Sequence, residues 1–78
     1  MGGIPKPTPC FLDRMKKYKV IAGKQVWISP DGDRLYTWDS LHGEIEVFDR
    51  HGYHLGSLDA LIGTFIKPAV KGRRIYHD

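Results

Sequence analysis

From Lys24 to Asp59 the chain sets apolar against polar residues in short runs broken by glycine turns, the period-two pattern of strands. KQVWIS leads into the turn signal Pro30-Asp31-Gly32, and RLYTWD follows, which predicts a hairpin with aromatic and β-branched residues in both arms. EIEVFD predicts the next strand, and Arg50-His51-Gly52 turns the chain into YHLGSLD. Strands this close in sequence pair antiparallel, so the expectation is a highly twisted meander of three to five strands. Ahead of it the period changes. Ile4 to Pro9 alternates proline with other residues, as an extended linker does. Thr8 and Pro9 then read as the N-cap and first position of a short helix over Cys10 to Val20. There Phe11, Met15 and Tyr18 recur at helical spacing, leaving Lys16, Lys17 and Lys19 to water. The tail FIKPAVKGRRIYHD, with Pro68 and Gly72, reads as an edge strand or extended arm. The expected fold class is therefore α+β, mainly β: one domain over residues 10–78 behind a linker at residues 1–9. Met1-Gly2-Gly3 reads as an engineered start to a piece cut from a longer protein.

Composition narrows this picture only slightly. A chain of 78 residues is one domain with a thin core. Its 41% hydrophobic and 27% charged residues are ordinary for a globular protein and too apolar for a disordered tail. The single cysteine, Cys10, excludes an internal disulfide, and no Cys/His spacing matches a structural zinc site. No run approaches the roughly 18 apolar residues of a membrane span, and MGGIPKP lacks a signal-peptide hydrophobic stretch.

Charge changes the picture more. The net +3 divides into two basic arms and an acidic centre. Residues 1–30 hold six Lys/Arg against one Asp, residues 31–59 hold seven acids against two arginines, and residues 60–78 hold four Lys/Arg against one Asp. Basic arms suit a polyanion, because each cation near a phosphate releases counterions. Carboxylates facing phosphate repel it, so the acids must either face away or perform chemistry.

The stretch YTWDSLHGEIEVFD concentrates those acids around one imidazole. Alternation puts Glu44 and Glu46 on one face of a strand, about 7 Å apart, a span that can take a scissile phosphate and its ribose. Asp39 ends the preceding strand, and His42 lies in the Ser40-Leu41-His42-Gly43 connection, so all four can converge. Crowded carboxylates should be harder to ionise and should raise a neighbouring imidazole, giving an acid and a base that operate near neutrality. RNA supplies its own nucleophile, the 2′-hydroxyl, so cleavage needs a base such as Glu46, an acid such as His42 and an arginine from the basic tail, with no metal or other cofactor. Lys24, Arg34, Lys71 and Arg74 are candidate RNA contacts, with Trp38 as a stacking surface.

Each of these residues has a plainer reading. A turn histidine is usually solvated, strand glutamates usually mark the wet side of a sheet, and Trp27, Tyr36 and Trp38 are usually core in a domain this small. Asp39, His42, Glu44 and Glu46 could instead hold Mn or Zn, although their spacing matches no standard ligand motif. His51 reads as a turn residue, His54 as a strand residue of undetermined facing, and His77 as lying near a mobile end. The rival functions are a non-enzymatic β-module binding RNA through basic and aromatic surfaces, and an adaptor binding an acidic protein through its arms.

At YTWDSLHGEIEVFD the sequence resembles the C-terminal cytotoxic ribonuclease domain of ribosome-inactivating colicins, whose pattern is Tyr-x-Trp-Asp-Ser-x-His-Gly-x-x-Glu. The same domain ends contact-dependent inhibition proteins and other bacteriocins. GIPK at residues 3–6, Trp27, HLGSLD at residues 54–59 and Arg-x-Ile at residues 73–75 resemble it in order. The resemblance implies metal-independent cleavage of 16S ribosomal RNA at the decoding site of the 30S subunit or 70S ribosome. It also implies a cognate immunity protein in a 1:1 complex, no membrane insertion by this domain, and delivery within a larger secreted or cell-surface toxin that acts in the target-cell cytoplasm. The family's catalytic residues fall on Asp39, His42, Glu46 and Arg73, with Glu44 accessory and Arg74 the alternative to Arg73. The family's cationic run before the first Trp is here Gly23-Lys24-Gln25-Val26, and Cys10 to Ile21 has no clear counterpart.

Overall fold

The computed structural model describes residues 3–75. They form one antiparallel meander of six strands in chain order: β1 Lys16–Ile21, β2 Lys24–Ile28, β3 Arg34–Asp39, β4 Glu44–Asp49, β5 His54–Leu58 and β6 Phe65–Pro68. RLYTWD and EIEVFD are strands over their full length, and Asp39 faces Glu44 across a four-residue connection. The Pro30-Asp31-Gly32 turn closes through Ser29, whose hydroxyl donates to Asp31 Oδ1 at 2.6 Å and accepts the Asp33 and Arg34 amides. β6 is the edge strand expected of the tail. No helix among the described residues is long and apolar enough to cross a membrane.

The N-terminal third corrects the expected helix and raises the strand count to six. Only Phe11–Arg14 is helical, as one 3₁₀ turn that starts at Cys10 rather than Thr8, with the Cys10 amide donating to Asp13 Oδ2 at 2.9 Å. Beyond Met15 the chain extends into β1. Its Tyr18, Val20 and Ile21 favour a pleated surface over a helix, and pairing against β2 supplies backbone partners that a short isolated helix would lack. The hairpin turns on two residues, Ala22 (φ 52°) and Gly23 (φ 80°), both left-handed as a type I′ turn requires. The three lysines of β1 stay exposed, as expected.

The sheet buries both faces at its centre. On one face Tyr36, Ile45, Val47 and Leu58 pack under Cys10 and Leu12 of the N-terminal segment. On the other, Val26, Leu35 and Phe48 pack under Ile75. Ile45 to Phe48 are therefore all at most 5% exposed, and Glu46 is among them. Residues 3–9 do not trail free. The Ile4 amide donates to the Ser40 carbonyl at 2.7 Å, and the Ile4 carbonyl accepts the Trp38 indole N–H at 2.9 Å.

Ala22 carries a Cβ through a region that disfavours it by roughly 1–2 kcal/mol. Ala22→Asn should raise stability by about 0.5–1 kcal/mol, seen as a melting temperature about 2–8 °C higher. An unchanged or lower melting temperature would contradict the turn assignment.

Candidate active site

β4 carries Glu46 into the sheet interior, and its neighbours turn out to be hydrogen-bond donors. Glu46 Oε2 accepts from His54 Nε2 at 2.7 Å and from the Ser57 hydroxyl at 2.9 Å, while Oε1 lies 3.1 Å from Arg73 Nη1. His54 and Ser57 are three residues apart, so plain alternation would send them to opposite faces. A bulge brings them together: β5 pairs His54 with Phe48 and Gly56 with Val47, leaving Leu55 as the extra residue. Gly56 makes this possible, at φ 148° with its α-carbon so close to the Lys67 carbonyl that a Cβ would sit 2.5 Å from that oxygen.

The tail locks His54 from its other side. The Val70 amide donates to His54 Nδ1 at 2.9 Å, so Nδ1 accepts and the ring proton sits on Nε2, pointed at Glu46. Backbone bonds from His54 N–H to Arg73 O at 3.0 Å and from Ile75 N–H to Gly52 O at 2.8 Å hold the segment that presents Arg73.

A second group lies at the β3–β4 connection on the same sheet face. His42 Nδ1 is 2.8 Å from Asp39 Oδ2, and Asp39 Oδ1 accepts the Leu41 and His42 amides at 3.0 and 3.3 Å. Ligand atoms of Asp39, His42 and Glu44 lie within 4.8 Å of one another, close enough for one cation, and Glu44 Oε1 also lies 3.0 Å from Lys67 Nζ. Glu46, the fourth candidate ligand, is instead engaged with His54, Ser57 and Arg73. Glu44 links the two groups, two residues from Glu46 on one strand face.

The expectation that crowding suppresses ionisation is corrected. Burial works to raise Glu46, but hydrogen bonds from His54 and Ser57 and the charge of Arg73 outweigh it, and its pKa falls below the usual glutamate value. Asp39 is also lowered: burial opposes ionisation, and the His42 ring together with the His42 and Leu41 amides overcomes it. Asp39 and Glu46 each have their own donors, and these outweigh the effect of burial.

Not every expected residue joins the site. Arg73, rather than Arg74, reaches Glu46, while the Arg74 guanidinium lies 4.8 Å over the Tyr53 ring. Lys24, Arg73 and Arg74 line a cavity of about 270 Å³. Lys71 is exposed in the turn before Arg73. Arg34 shares its strand face with Tyr36 and Trp38, away from Glu46, and its guanidinium lies 5.9 Å from the Phe65 ring. Trp38 packs against the opposite core cluster with its N–H given to Ile4. His51 is an exposed turn residue, and His77 lies outside the described residues. Reasoning from the sequence left the facing of His54 undetermined and assigned no role to Ser57 or Lys67. Gly56 inside a strand was the available sign of a bulge that turns His54 inward.

A family model described as Cytotoxic matches residues 11–76. The chain belongs to the cytotoxic domain family. It is 43% identical over 66 residues to Colicin E3 of Escherichia coli, an alignment covering 83% of this chain and 10% of that protein. The cytotoxic domain thus spans about a tenth of the length of this curated relative.

The depressed Glu46 pKa makes the cytotoxic domain acid-sensitive in a defined direction. The stability it contributes is complete above the unfolded glutamate value and is lost as pH falls through the lower folded value. Urea unfolding between pH 7 and pH 3 should show this loss, and Glu46→Gln should remove that component. His54→Ala should cost about 1.5–3 kcal/mol at pH 7, the worth of a hydrogen bond to a charged group. Equal urea midpoints for His54→Ala and the parent would refute the buried pair.

Proposed function

We propose that this toxin domain is a ribonuclease that cuts 16S rRNA at the ribosomal decoding site by metal-independent acid/base catalysis. The observation that carries the reading is Glu46: a buried, ionised carboxylate held by an arginine, on the same sheet face as an Asp–His pair. Family membership and the likeness to Colicin E3 support a toxin of this type.

In the proposed reaction a phosphate draws Arg73 off Glu46 Oε1. That oxygen takes the 2′-hydroxyl proton as O2′ attacks phosphorus, and the guanidinium steadies the phosphorane. His42, its Nδ1 held by Asp39, protonates the departing O5′ through Nε2 as the P–O5′ bond breaks. The products are a 2′,3′-cyclic phosphate and a 5′-hydroxyl. His54 and Ser57 hold Glu46 in place and keep it ionised. Glu44 is the second possible proton acceptor, favoured by its closeness to His42. The domain would act in the target-cell cytoplasm after delivery within a larger secreted or surface toxin, restrained in the producing cell by an immunity protein bound 1:1.

Purified ribosomes incubated with the domain should yield a discrete 3′-terminal fragment of 16S RNA. His42→Ala should slow its appearance about 10²–10⁴-fold, and Arg73→Ala about 10²–10³-fold, with circular dichroism unchanged. Glu44→Gln and Glu46→Gln compared side by side identify the base by the larger loss. EDTA should have no effect; activity removed by EDTA and restored by a divalent ion would shift the roles of Asp39, His42 and Glu44 to metal binding. Salt-sensitive RNA binding without a fragment would return the non-enzymatic β-module.

A further inference from the structure

The cavity beside Arg73 is built unlike a plain phosphate cleft. Part of its wall is apolar: Val26 and Phe48 come from the sheet, Ile75 from the tail and Ile21 from the β1–β2 hairpin. Val26 and Phe48 are 0% and 3% exposed, so this floor is fixed by packing. Lys24, Arg73 and Arg74 bring positive charge to the same cavity. Among the lining residues Thr37 has the only neutral polar side chain, and it lies directly across from Glu46 in the β3–β4 register.

The cavity also shares its walls with the candidate active site. Phe48 meets the His54 ring edge-on, with centroids 5.4 Å apart, and Arg73 is both a lining residue and the partner of Glu46. A phosphate held by Arg73 therefore has the acidic group on one side and the cavity on the other.

We propose that this cavity is a nucleotide subsite: it takes the base of a nucleotide next to the scissile phosphate against Ile21, Ile75 and the edge of Phe48, above the fully buried Val26, with Thr37 hydrogen-bonding the base edge. The proposal rests on the ribonuclease reading for its place beside the scissile bond. At about 270 Å³ the space lies just below the size of pockets that take drug-like ligands, as suits a single base and part of its ribose. Apolar and aromatic walls gain from a base leaving solvent, and the cations answer the backbone phosphates. The hairpin carrying Ile21 and Lys24 thus becomes part of substrate binding.

The test is an NMR titration of the domain with each of the four nucleoside 3′-monophosphates, with inorganic phosphate and ribose 5-phosphate as controls. The nucleotides should shift the amides of Val26, Thr37, Phe48 and Ile75, while the controls should move only signals near Lys24, Arg73 and Arg74. Ile21→Trp, which plugs the cavity, should weaken nucleotide binding about tenfold, within the worth of one stacked base, and leave phosphate binding alone. Thr37→Val keeps the cavity's shape and should level the affinities of the four bases. Nucleotides that bind no more tightly than ribose 5-phosphate and move only the same signals overturn the subsite. The titration needs no cleavage: ribosomes left intact while nucleotides bind would defeat the ribonuclease reading alone, and cut ribosomes without base-dependent shifts would defeat the subsite alone.

Discussion

The burial of one ionised carboxylate governs how the rest of this small domain is arranged. Glu46 occupies a position in the central β4 strand where both sheet faces are covered, and a charge placed there requires donors from several directions. Three donors from two parts of the chain meet it: His54 and Ser57 from the neighbouring strand, and Arg73 from the tail. The β5 bulge, the glycine that permits it and the backbone bonds that dock residues 70–75 all serve that one requirement. In a domain with so thin a core, tying the tail to a buried charge also closes the second hydrophobic cluster under Ile75.

The same arrangement reconciles the acidic centre with the basic arms. Three of the seven central acids are paired rather than left to water, while Asp31 and Asp33 stay exposed at their turn. Glu46 meets Arg73, Glu44 meets Lys67 and Asp39 meets His42. The basic tail is folded onto the acidic middle, so an incoming phosphate competes with carboxylates for cations already in place.

The central strands were legible in the sequence because alternation, turn residues and β-branched content agree with one another there; RLYTWD and EIEVFD are strands from end to end. The N-terminal third misled because Phe11, Met15 and Tyr18 fit a helical period by chance across a junction between a 3₁₀ turn and a strand. Local spacing could not report that β2 offers a pairing edge. At the site, Asp39, His42, Glu44 and Glu46 stood out as a cluster within one short stretch, and the structure gathers them along one strand pair. His54 could not be placed by alternation, because a bulge reverses the facing that counting assigns. The direction of the Asp39 and Glu46 pKa shifts was also beyond reach: acids close in sequence suggest mutual repulsion, and only the fold reveals that these two have separate sets of donors.

The attachment of Ile4 to Ser40 and Trp38 has a mechanical consequence. Tension entering the domain through residue 3 loads two hydrogen bonds, one to Ser40 in the His42 connection and one from Trp38 of β3, before it reaches the ladder of β1. Pulled from its front end, the domain would first let go of Ile4 beside the loop that carries its imidazole, while the six-stranded sheet behind it stayed zipped.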